Sequence, residues 1–405
     1  MAVRSIAVVG ASLAALRGVQ ALRRDGFDGD ITVVGDEPYR PYDRPPLSKR
    51  VLTGDKPVDG TGLSNDEAID ALDVRWVLGR KATALDVAHR SITLDDGATV
   101  AADGIVLACG ATPRTLPGTE GMGGVHVLRT RDDAAALLAD LAAGPARVVV
   151  VGAGFIGSEV AASCRALGLD VTILEAAPIP LGRVLPAPLA EICADLHRDH
   201  GVDLRLGTAV DRIEAGDDGR VRRVHLADGG HVDADVVVVG IGVRPNTDWL
   251  VGSGLTLDDG VVCDATTLAA PGITAAGDVA RWPNPRYGEL MRVEHWDNAV
   301  HMGAHAATRL LVADAAAAED FAPVPWFWSD QYDRKLQLGG RCGPLDEMVV
   351  IDGSLEERRF AALFRRDDQV IGVFGMNRAP VVALWQRRLI EGIGWTEALD
   401  LVAEG

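Results

Sequence analysis

The most regular pattern along the chain is a short apolar run, a small-residue turn, a segment with apolar residues at helical spacing, and a second apolar run. This pattern covers residues 6–34 and occurs again over residues 148–174. Strand, turn, helix and strand in that order are typical of a parallel β-α-β unit. Because the unit occurs twice, we predict two separate α/β domains.

Other apolar runs complete the predicted sheets. Further strands are expected at residues 105–108, 236–239 and 273–276. From about residue 321 apolar and polar positions alternate, with strands expected at residues 348–351, 359–364 and 370–373 and a helix at about residues 380–390. Such alternation is typical of antiparallel strands. The pattern therefore predicts an α/β fold with two Rossmann-like domains, followed by a C-terminal α+β domain.

The turn of the second unit carries a complete GxGxxG motif, formed by Gly152, Gly154 and Gly157. Such glycines permit a tight turn and let backbone amides approach a pyrophosphate at the positive end of the helix dipole. Glu175 closes the unit, where a carboxylate accepts hydrogen bonds from ribose hydroxyls and repels a 2′-phosphate. We therefore predict binding of NADH in preference to NADPH. The alternative for Glu175 is a solvated acid at a strand end.

The first unit has a weaker form of the same turn, with Gly10, Ser12 and Ala15 where three glycines are expected. Ser12 and Ala15 are small enough to keep the turn and the helix–strand contact, so a second nucleotide is still predicted. Asp36 is expected to bind its ribose. Because a hydride from a nicotinamide needs an acceptor, two nucleotide sites predict FAD as the second cofactor.

Composition narrows the class of protein further. The 405 residues are 48% hydrophobic and 24% charged, which suits several folded domains rather than a disordered chain. The formal charge of −18 argues against general binding to nucleic acid or to an anionic membrane. The five cysteines are dispersed, and no apolar run is long enough for a signal peptide or a membrane span. We expect a cytoplasmic protein with reduced thiols and no bound metal.

Five segments carry a more specific signal: residues 41–49 (PYDRPPLSK), 152–159 (GAGFIGSE), 277–278 (GD), 294–299 (EHWDNA) and 325–332 (PWFWSDQY). In this order they resemble the NADH-dependent ferredoxin reductases of bacterial oxygenase systems, the putidaredoxin reductase and biphenyl dioxygenase reductase type. The resemblance covers essentially the whole chain and implies a glutathione-reductase-like fold. The implied domains are an FAD-binding domain at residues 1–113 and 242–320, an NADH-binding domain at 114–241 and a C-terminal domain at 321–405.

The resemblance also implies which residues bind the cofactors. FAD contacts are expected from Gly10, Ser12, Leu13, Ala14, Asp36, Arg44, Lys49, Ala82, Arg129, Gly277, Asp278, Glu294 and Trp296. NADH contacts are expected from Gly152, Gly154, Phe155, Ile156, Gly157, Glu159, Glu175, Arg183 and Gly242. Lys49 and Glu159 are expected to pair at the flavin face and tune the flavin, without acting as acid or base. The alternative is two unrelated surface charges.

The chain departs from the family pattern at a few positions. Ala15 replaces a glycine and Cys109 replaces a threonine, and both side chains are small enough for cofactor binding to survive. Ile179 stands where relatives often carry an arginine, which removes one expected contact to the NADH adenosine. Arg183 remains as a cation for that end of the nucleotide. Strict selection of NADH over NADPH is left open by Ile179.

The function implied by the resemblance is an FAD-dependent NADH:ferredoxin oxidoreductase. An iron–sulfur ferredoxin would dock near the exposed flavin edge and feed a haem-thiolate monooxygenase or a Rieske oxygenase. One alternative is an NADH-dependent disulfide or peroxide reductase, which requires a reactive cysteine, and only Cys109 is expected near the flavin. Another is a redox signalling protein that resembles apoptosis-inducing factor. Monomer and homodimer both stay open.

Ferredoxin docking requires a local basic surface on this acidic chain, because partners of this family are typically acidic. Candidates are the adjacent basic pairs Arg334-Lys335, Arg358-Arg359, Arg365-Arg366 and Arg387-Arg388, with Arg286, Arg292 and Arg309 in addition. Two tryptophans, Trp326 and Trp328, are equally well interpreted as interdomain core or as an electron-transfer surface. His295 and His301 have no third ligand at metal spacing and are interpreted as structural.

Overall fold

The computed structural model describes residues 3–404. The chain divides into two compact units, each assembled from three segments. Unit 1 comprises Met1–Asp43, Gly62–Thr112 and Arg244–Trp326, and unit 2 comprises Arg44–Thr61, Pro113–Val243 and Phe327–Gly405. Unit 2 thus joins the second β-α-β unit to the C-terminal segment, whereas the sequence-based division separates them. The division into FAD, NADH and C-terminal domains stays a prediction.

Short strands make up most of the regular structure. In chain order they are β1 (Ser5–Val9), β2 (Asp30–Gly35), β3 (Arg75–Leu78), β4 (Ala82–Asp86), β5 (Ser91–Leu94), β6 (Thr99–Ala101), β7 (Gly104–Leu107), β8 (Ala111–Pro113), β9 (Val125–His126), β10 (Arg147–Val151), β11 (Asp170–Leu174), β12 (Asp203–Arg205), β13 (Val210–Ala215), β14 (Val221–Leu226), β15 (His231–Asp233), β16 (Val236–Val239), β17 (Val243–Pro245), β18 (Val261–Val262), β19 (Leu268–Ala270), β20 (Ile273–Ala275), β21 (Ala280–Asn284), β22 (Glu289–Met291), β23 (Trp326–Gln331), β24 (Arg334–Gly340), β25 (Glu347–Ser354), β26 (Arg359–Arg366) and β27 (Gln369–Met376).

The helices are fewer and none is long. They are α1 (Leu13–Arg24), α2 (Asp66–Asp70), α3 (Arg131–Ala142), α4 (Phe155–Ala166), α5 (Ala187–Asp199), α6 (Trp296–Arg309), α7 (Ala379–Glu391) and α8 (Trp395–Glu404). A short 3₁₀ helix covers Pro45–Ser48. Within residues 3–404, no helix combines the length and the apolar character that crossing a membrane requires.

Unit 1 is built on a six-stranded sheet in the order β19-β20-β7-β1-β2-β3. β1 is parallel to both of its neighbours, β2 and β7, and β20 continues the parallel set beyond β7. The chain runs from β1 to β2 and β3 on one side and returns to β7 on the other. In such sheets, ligands bind outside the carboxyl ends of the strands where the order reverses. The carboxyl end of β1 is that point in unit 1.

Helices α1 and α6 pack closely against each other in unit 1, and small residues permit the approach. A Cβ added to Gly303 of α6 would lie 2.2 Å from the carbonyl oxygen of Ala14 in α1. A Cβ added to Gly18 of α1 would lie 2.9 Å from the carbonyl oxygen of Gly303. The start of α1, next to the switch point of the sheet, is therefore held in place by α6.

Unit 2 contains a five-stranded parallel sheet in the order β12-β11-β10-β16-β9. The valines of β10 and β16 are buried, since both faces of a parallel sheet are covered. The strand order again reverses, at β10, and its carboxyl end leads into Gly152. The two predicted β-α-β units are thus confirmed, each in its own sheet.

The C-terminal part of unit 2 is an antiparallel sheet in the order β23-β24-β27-β26-β25, with α7 packed on β24 and β27. The predicted strands and the helix near residues 380–390 are confirmed. Strands β23 and β24 and helix α8 were not predicted. Strand β23 buries two polar residues, Ser329 and Gln331, both with 0% exposure. The alternation of apolar and polar residues along β23 therefore does not identify its buried face. The predicted α/β class with a C-terminal α+β region is confirmed.

Replacing Gly303 with alanine is expected to destabilise unit 1, because the new Cβ overlaps the backbone of Ala14. We expect a loss of about 1–3 kcal/mol in the free energy of unfolding, typical of overpacking. Urea denaturation measures it. The control is Gly62→Ala, where the nearest atom to the added Cβ is the Ser64 carbonyl oxygen at 3.5 Å. Equal stability of the two variants would contradict the close helix packing.

Candidate functional site

The first candidate nucleotide cradle lies at the carboxyl end of β1. Gly10 has φ of +113°, and an added Cβ would lie 2.1 Å from the Ala108 carbonyl oxygen, so only glycine fits. α1 begins at Leu13, and the hydroxyl of its N-cap residue, Ser12, makes no capping hydrogen bond. The first-turn N–H groups and the helix dipole form the kind of terminus that accepts a phosphate. The backbone here fits a dinucleotide.

Several other predicted FAD residues lie in unit 1. Gly277 has φ of +71°, and a Cβ there would come within 3.5 Å of the Ala14 Cβ. Arg292 connects Asp278 and Glu294 by donating from Nη1 to the Asp278 carbonyl oxygen at 3.2 Å and to Glu294 Oε1 at 2.5 Å. The structure therefore brings Gly277 to the start of α1 and Asp278 to Glu294.

The remaining predicted FAD residues divide between the units. Asp36 follows β2, and its Oδ1 accepts the Glu37 N–H at 3.0 Å. Ala82 is buried on β4, and Trp296 donates from Nε1 to Asp43 Oδ1 at 2.8 Å. Arg44, Lys49 and Arg129 belong to unit 2. There the Arg44 guanidinium donates to the Arg129 carbonyl oxygen at 2.6 Å.

The second candidate cradle follows β10 in unit 2. Gly152 has φ of +99°, and a Cβ added to Gly157 would lie 2.1 Å from the Gly152 carbonyl oxygen. Glu175 is fixed beside this turn, because its Oε2 accepts the Ala153 N–H at 2.7 Å and its Oε1 accepts the Ala177 N–H at 2.8 Å. The acid is part of the turn's own hydrogen-bond system, with lone pairs left for a further donor.

The other predicted NADH residues also belong to unit 2. Ile156, in the first turn of α4, exposes 47% of its surface although it is apolar. The Phe155 ring lies 4.6 Å from the Phe327 ring, centroid to centroid. Gly242 has φ of +93° with open space around it, and Arg183 is exposed. Ile179 packs on Gly182, since a Cβ added to Gly182 would lie 2.4 Å from Cγ2 of Ile179. The Ile179 side chain thus contacts a neighbouring residue of its own loop.

Lys49 and Glu159 form an ion pair, with Nζ 3.1 Å from Oε1 and the two side chains 17% and 4% exposed. Glu159 is held by two serines in addition. Ser48 donates to Oε2 at 2.6 Å, and Ser329 donates to Oε1 at 2.7 Å. A buried carboxylate requires such donors, because burial without them costs several kcal/mol. The role of the pair at the flavin face stays a prediction.

Two residues of strand β23 also contact Lys49. The Lys49 Nζ lies 5.5 Å from the centroid of the Trp328 ring and 3.7 Å from Asp330 Oδ2. Asp330 also pairs with Lys335 at 3.1 Å. Sequence reasoning missed Ser48, Ser329 and Asp330 as neighbours of this pair. All three lie in the motifs at residues 41–49 and 325–332, which was the available signal.

A second buried network starts one residue before Glu159. His197 has 0% exposure, with its Nε2 3.1 Å from Ser158 Oγ and its Nδ1 2.7 Å from the Tyr332 hydroxyl. His200 stacks on the Tyr332 ring with centroids 3.9 Å apart. Burial, together with the smaller effect of the charges of His200 and Arg198, lowers the pKa of His197 to about 4. The ring is therefore neutral at physiological pH.

The cysteines are all free thiols. Burial raises the pKa of Cys109, Cys164, Cys193, Cys263 and Cys342 to about 12 in each case. Cys109, the residue considered for a redox role, donates to the Asn246 carbonyl oxygen at 3.3 Å. The thiolate is the nucleophile in disulfide chemistry, so these environments disfavour it.

The predicted structural histidines lie on or beside α6. His301 pairs with Asp297 one turn earlier, with Nε2 3.3 Å from Oδ1, and this contact raises the pKa of His301. His295 is the N-cap residue of α6. In the part of the chain that the structure describes, no three His, Cys, Asp or Glu side chains are grouped to hold a metal ion.

Two protein-family models match the chain. Pyridine nucleotide-disulphide oxidoreductase matches residues 4–303, and Reductase C-terminal matches residues 326–400. Rhodocoxin reductase of Rhodococcus erythropolis is 38% identical over 92% of this chain and 86% of its own. Putidaredoxin reductase of Pseudomonas putida is 34% identical over 92% of this chain and 89% of its own.

Solved structures agree with these sequence comparisons. Putidaredoxin reductase, in its covalent complex with putidaredoxin, matches with a TM-score of 0.89 and 33% identity, covering 95% of this chain and 92% of its own. The ferredoxin reductase for the CYP199A2 system from Rhodopseudomonas palustris matches with a TM-score of 0.90 and 32% identity, covering 97% of this chain and 96% of its own.

The buried His197 is expected to make stability fall on the acid side. Its folded-state pKa of about 4 lies below the ordinary 6.5, so the unfolded chain binds the proton first. The stabilisation by the neutral ring is present above pH 6.5 and is lost as the pH falls towards 4, by up to about 1.4 kcal/mol per pH unit. Urea denaturation of His197→Gln should show a smaller loss over that range.

The control for this experiment is His301→Gln. Asp297 raises the pKa of His301, so protonated His301 stabilises the fold below its ordinary pKa, and removing it cannot reduce the acid-side loss. Identical pH profiles for wild type and His197→Gln would show that the buried ring does not control acid stability.

Proposed function

Because the chain belongs to the pyridine nucleotide-disulphide oxidoreductase family, we propose that it is a flavoprotein reductase that passes electrons from NADH through FAD to an iron–sulfur ferredoxin. It is an oxidoreductase and uses both nucleotides. When bound, FAD would supply an acceptor for the nicotinamide hydride and a donor of single electrons, which suits a one-electron acceptor. The ferredoxin in turn supplies an oxygenase, as the names of several relatives indicate for those proteins.

The residues fit the two cofactors in distinct ways. The cradle at Gly10 would hold the FAD pyrophosphate at the start of α1, with Asp36 on the adenosine ribose. The cradle at Gly152 would hold NADH at the start of α4, with Glu175 on its ribose. Lys49 would place a positive charge beside the flavin ring, balanced by Glu159. The other residues predicted from the sequence to contact FAD or NADH are proposed here for the same contacts.

The observation that carries the proposal is that two dinucleotide cradles occur without a reactive thiol. Each cradle lies where the order of the parallel strands reverses in its own sheet. A disulfide or peroxide reductase needs a thiolate near the flavin, yet burial raises the pKa of all five cysteines to about 12. The cysteines of this chain are therefore not expected to accept electrons from the flavin, which is consistent with the ferredoxin as the acceptor.

The basic pairs considered for ferredoxin docking differ in how far their charge is compensated. Arg358 pairs with Asp199, Arg365 with Glu347 and Arg366 with Asp346. Arg309 is 9% exposed and bonds to Thr266, so it is excluded from a docking surface. Arg387 is exposed on α7, where the Arg388 guanidinium lies 4.5 Å from the Trp385 ring. We propose that the Arg387-Arg388 pair steers the ferredoxin.

An anaerobic titration tests the proposed function. The purified protein is expected to be yellow, and NADH should bleach the flavin absorbance at a lower concentration than NADPH. Addition of a suitable ferredoxin should then reoxidise the flavin and allow rapid, continuous oxidation of NADH. That result would exclude a signalling role based on slow NADH oxidation. Failure to obtain a flavin that NADH bleaches would reject the proposal.

Glu175 is expected to cause the preference for NADH, because its charge repels a 2′-phosphate. Glu175→Gln removes the charge and should reduce the NADH to NADPH ratio of kcat/KM roughly tenfold, equivalent to about 1.4 kcal/mol. Steady-state reduction of an artificial acceptor measures the ratio. The matched control is Glu191→Gln on the exposed face of α5, which should keep the wild-type ratio. An unchanged ratio in Glu175→Gln would contradict the assignment.

Charge reversal on α7 tests the docking surface. The double variant Arg387→Glu/Arg388→Glu should slow ferredoxin reduction roughly two- to tenfold at low salt and flatten its dependence on ionic strength. NADH reduction of the flavin should stay at the wild-type rate. The double variant Arg212→Glu/Arg222→Glu makes the same charge change on exposed residues of β13 and β14. If both double variants behave alike, α7 is not the docking surface.

A further inference from the structure

The Ser329 hydroxyl donates its proton to a single acceptor. Gln331 donates from Nε2 to Ser329 Oγ at 3.2 Å, so the oxygen already accepts one hydrogen bond. The single hydroxyl proton is then directed to Glu159 Oε1, 2.7 Å away. All three side chains are buried, with exposures of 0% for Ser329 and Gln331 and 4% for Glu159. Ser329 is therefore a pre-oriented donor rather than a rotating hydroxyl.

The oxygen that Ser329 binds is the one that contacts Lys49. Oε1 of Glu159 lies 3.1 Å from the Lys49 Nζ, whereas Ser48 donates to the other oxygen, Oε2. Ser329 and Ser48 together fix both oxygens and hence the plane of the carboxylate. Of the two, only Ser329 controls the oxygen that faces the ammonium group.

Lys49 has a second carboxylate within reach. Asp330 Oδ2 lies 3.7 Å from Nζ, and Asp330 is 38% exposed, so water and Lys335 compensate its charge. A displaced Glu159 would leave the ammonium group free to move towards Asp330. The position of the Lys49 charge thus depends on how firmly Glu159 is held.

We propose that Ser329 is a positioning residue for the reductase, acting through Glu159 to keep the Lys49 ammonium group paired with Glu159 instead of Asp330. The inference rests on the proposed function, in which Lys49 lies beside the flavin. It gives the C-terminal strand β23 an indirect part, through Glu159, in placing charge at that ring. The hydrogen bond and the ion pair that support the inference both lie within unit 2.

The test compares Ser329→Ala with Ser329→Thr, which keeps the hydroxyl on a β-strand, in purified FAD-containing protein. Ser329→Ala should slow flavin reduction by NADH roughly tenfold per bound FAD, the effect expected for losing a hydrogen bond to a charged group. Its flavin midpoint potential should become more negative, because less positive charge is held at the ring. Ser329→Thr should restore most of both values.

The matched control is Ser354→Ala on β25, where the exposed hydroxyl oxygen accepts the Glu357 N–H. It should match the wild type in rate and potential. A purely structural role would lower the FAD content or thermal stability of Ser329→Ala while leaving the rate per bound FAD and the potential unchanged. That outcome would overturn the inference.

A double-mutant cycle identifies the route of the effect. If Ser329 acts through Glu159, Ser329→Ala should cause no further loss of rate in a Glu159→Gln background. Additive losses would overturn the positioning role. These outcomes are distinct from failure of the proposed function, which would appear as wild-type flavin that NADH does not bleach.

Discussion

The burial of one carboxylate, that of Glu159, imposes the strictest constraint on the site. At 4% exposure it requires a compensating cation and hydrogen-bond donors, because an unpaired buried charge costs several kcal/mol. Lys49, Ser48 and Ser329 meet that requirement from two other segments of the chain. The segment Arg44–Thr61, helix α4 and strand β23 therefore assemble together in unit 2, which also contains the C-terminal sheet.

The two candidate cradles depend on a different constraint, the geometry of the backbone. Gly10 and Gly152 are needed because their φ values are positive and a Cβ would overlap a neighbouring carbonyl group. The same turn conformation is therefore present with a complete glycine motif in unit 2 and with Ser12 and Ala15 in unit 1.

Neighbouring buried networks in unit 2 use unlike chemistry. Glu159 is a carboxylate stabilised by a cation and hydroxyl donors, whereas His197, linked to the preceding residue Ser158, is a base kept neutral by burial. Both networks end on residues of β23 or the turn after it, Ser329 and Tyr332. Residues 327–332 of the motif thus contact α4, α5 and Lys49 within unit 2 through both aromatic and polar side chains.

The sequence by itself determined the two β-α-β units, their turns, the C-terminal antiparallel strands at residues 347–376, and the positions of Asp36 and Glu175 directly after β2 and β11, because apolar periodicity and glycine spacing are local properties. It missed β23, whose buried face carries Ser329 and Gln331, since no periodic signal marks an inward polar side chain. Only the tertiary structure decided that Ser48 and Ser329 hold Glu159, and that Asp330 competes for Lys49. These residues are far apart along the chain, and the role of a hydroxyl depends on the acceptor that folding places beside it.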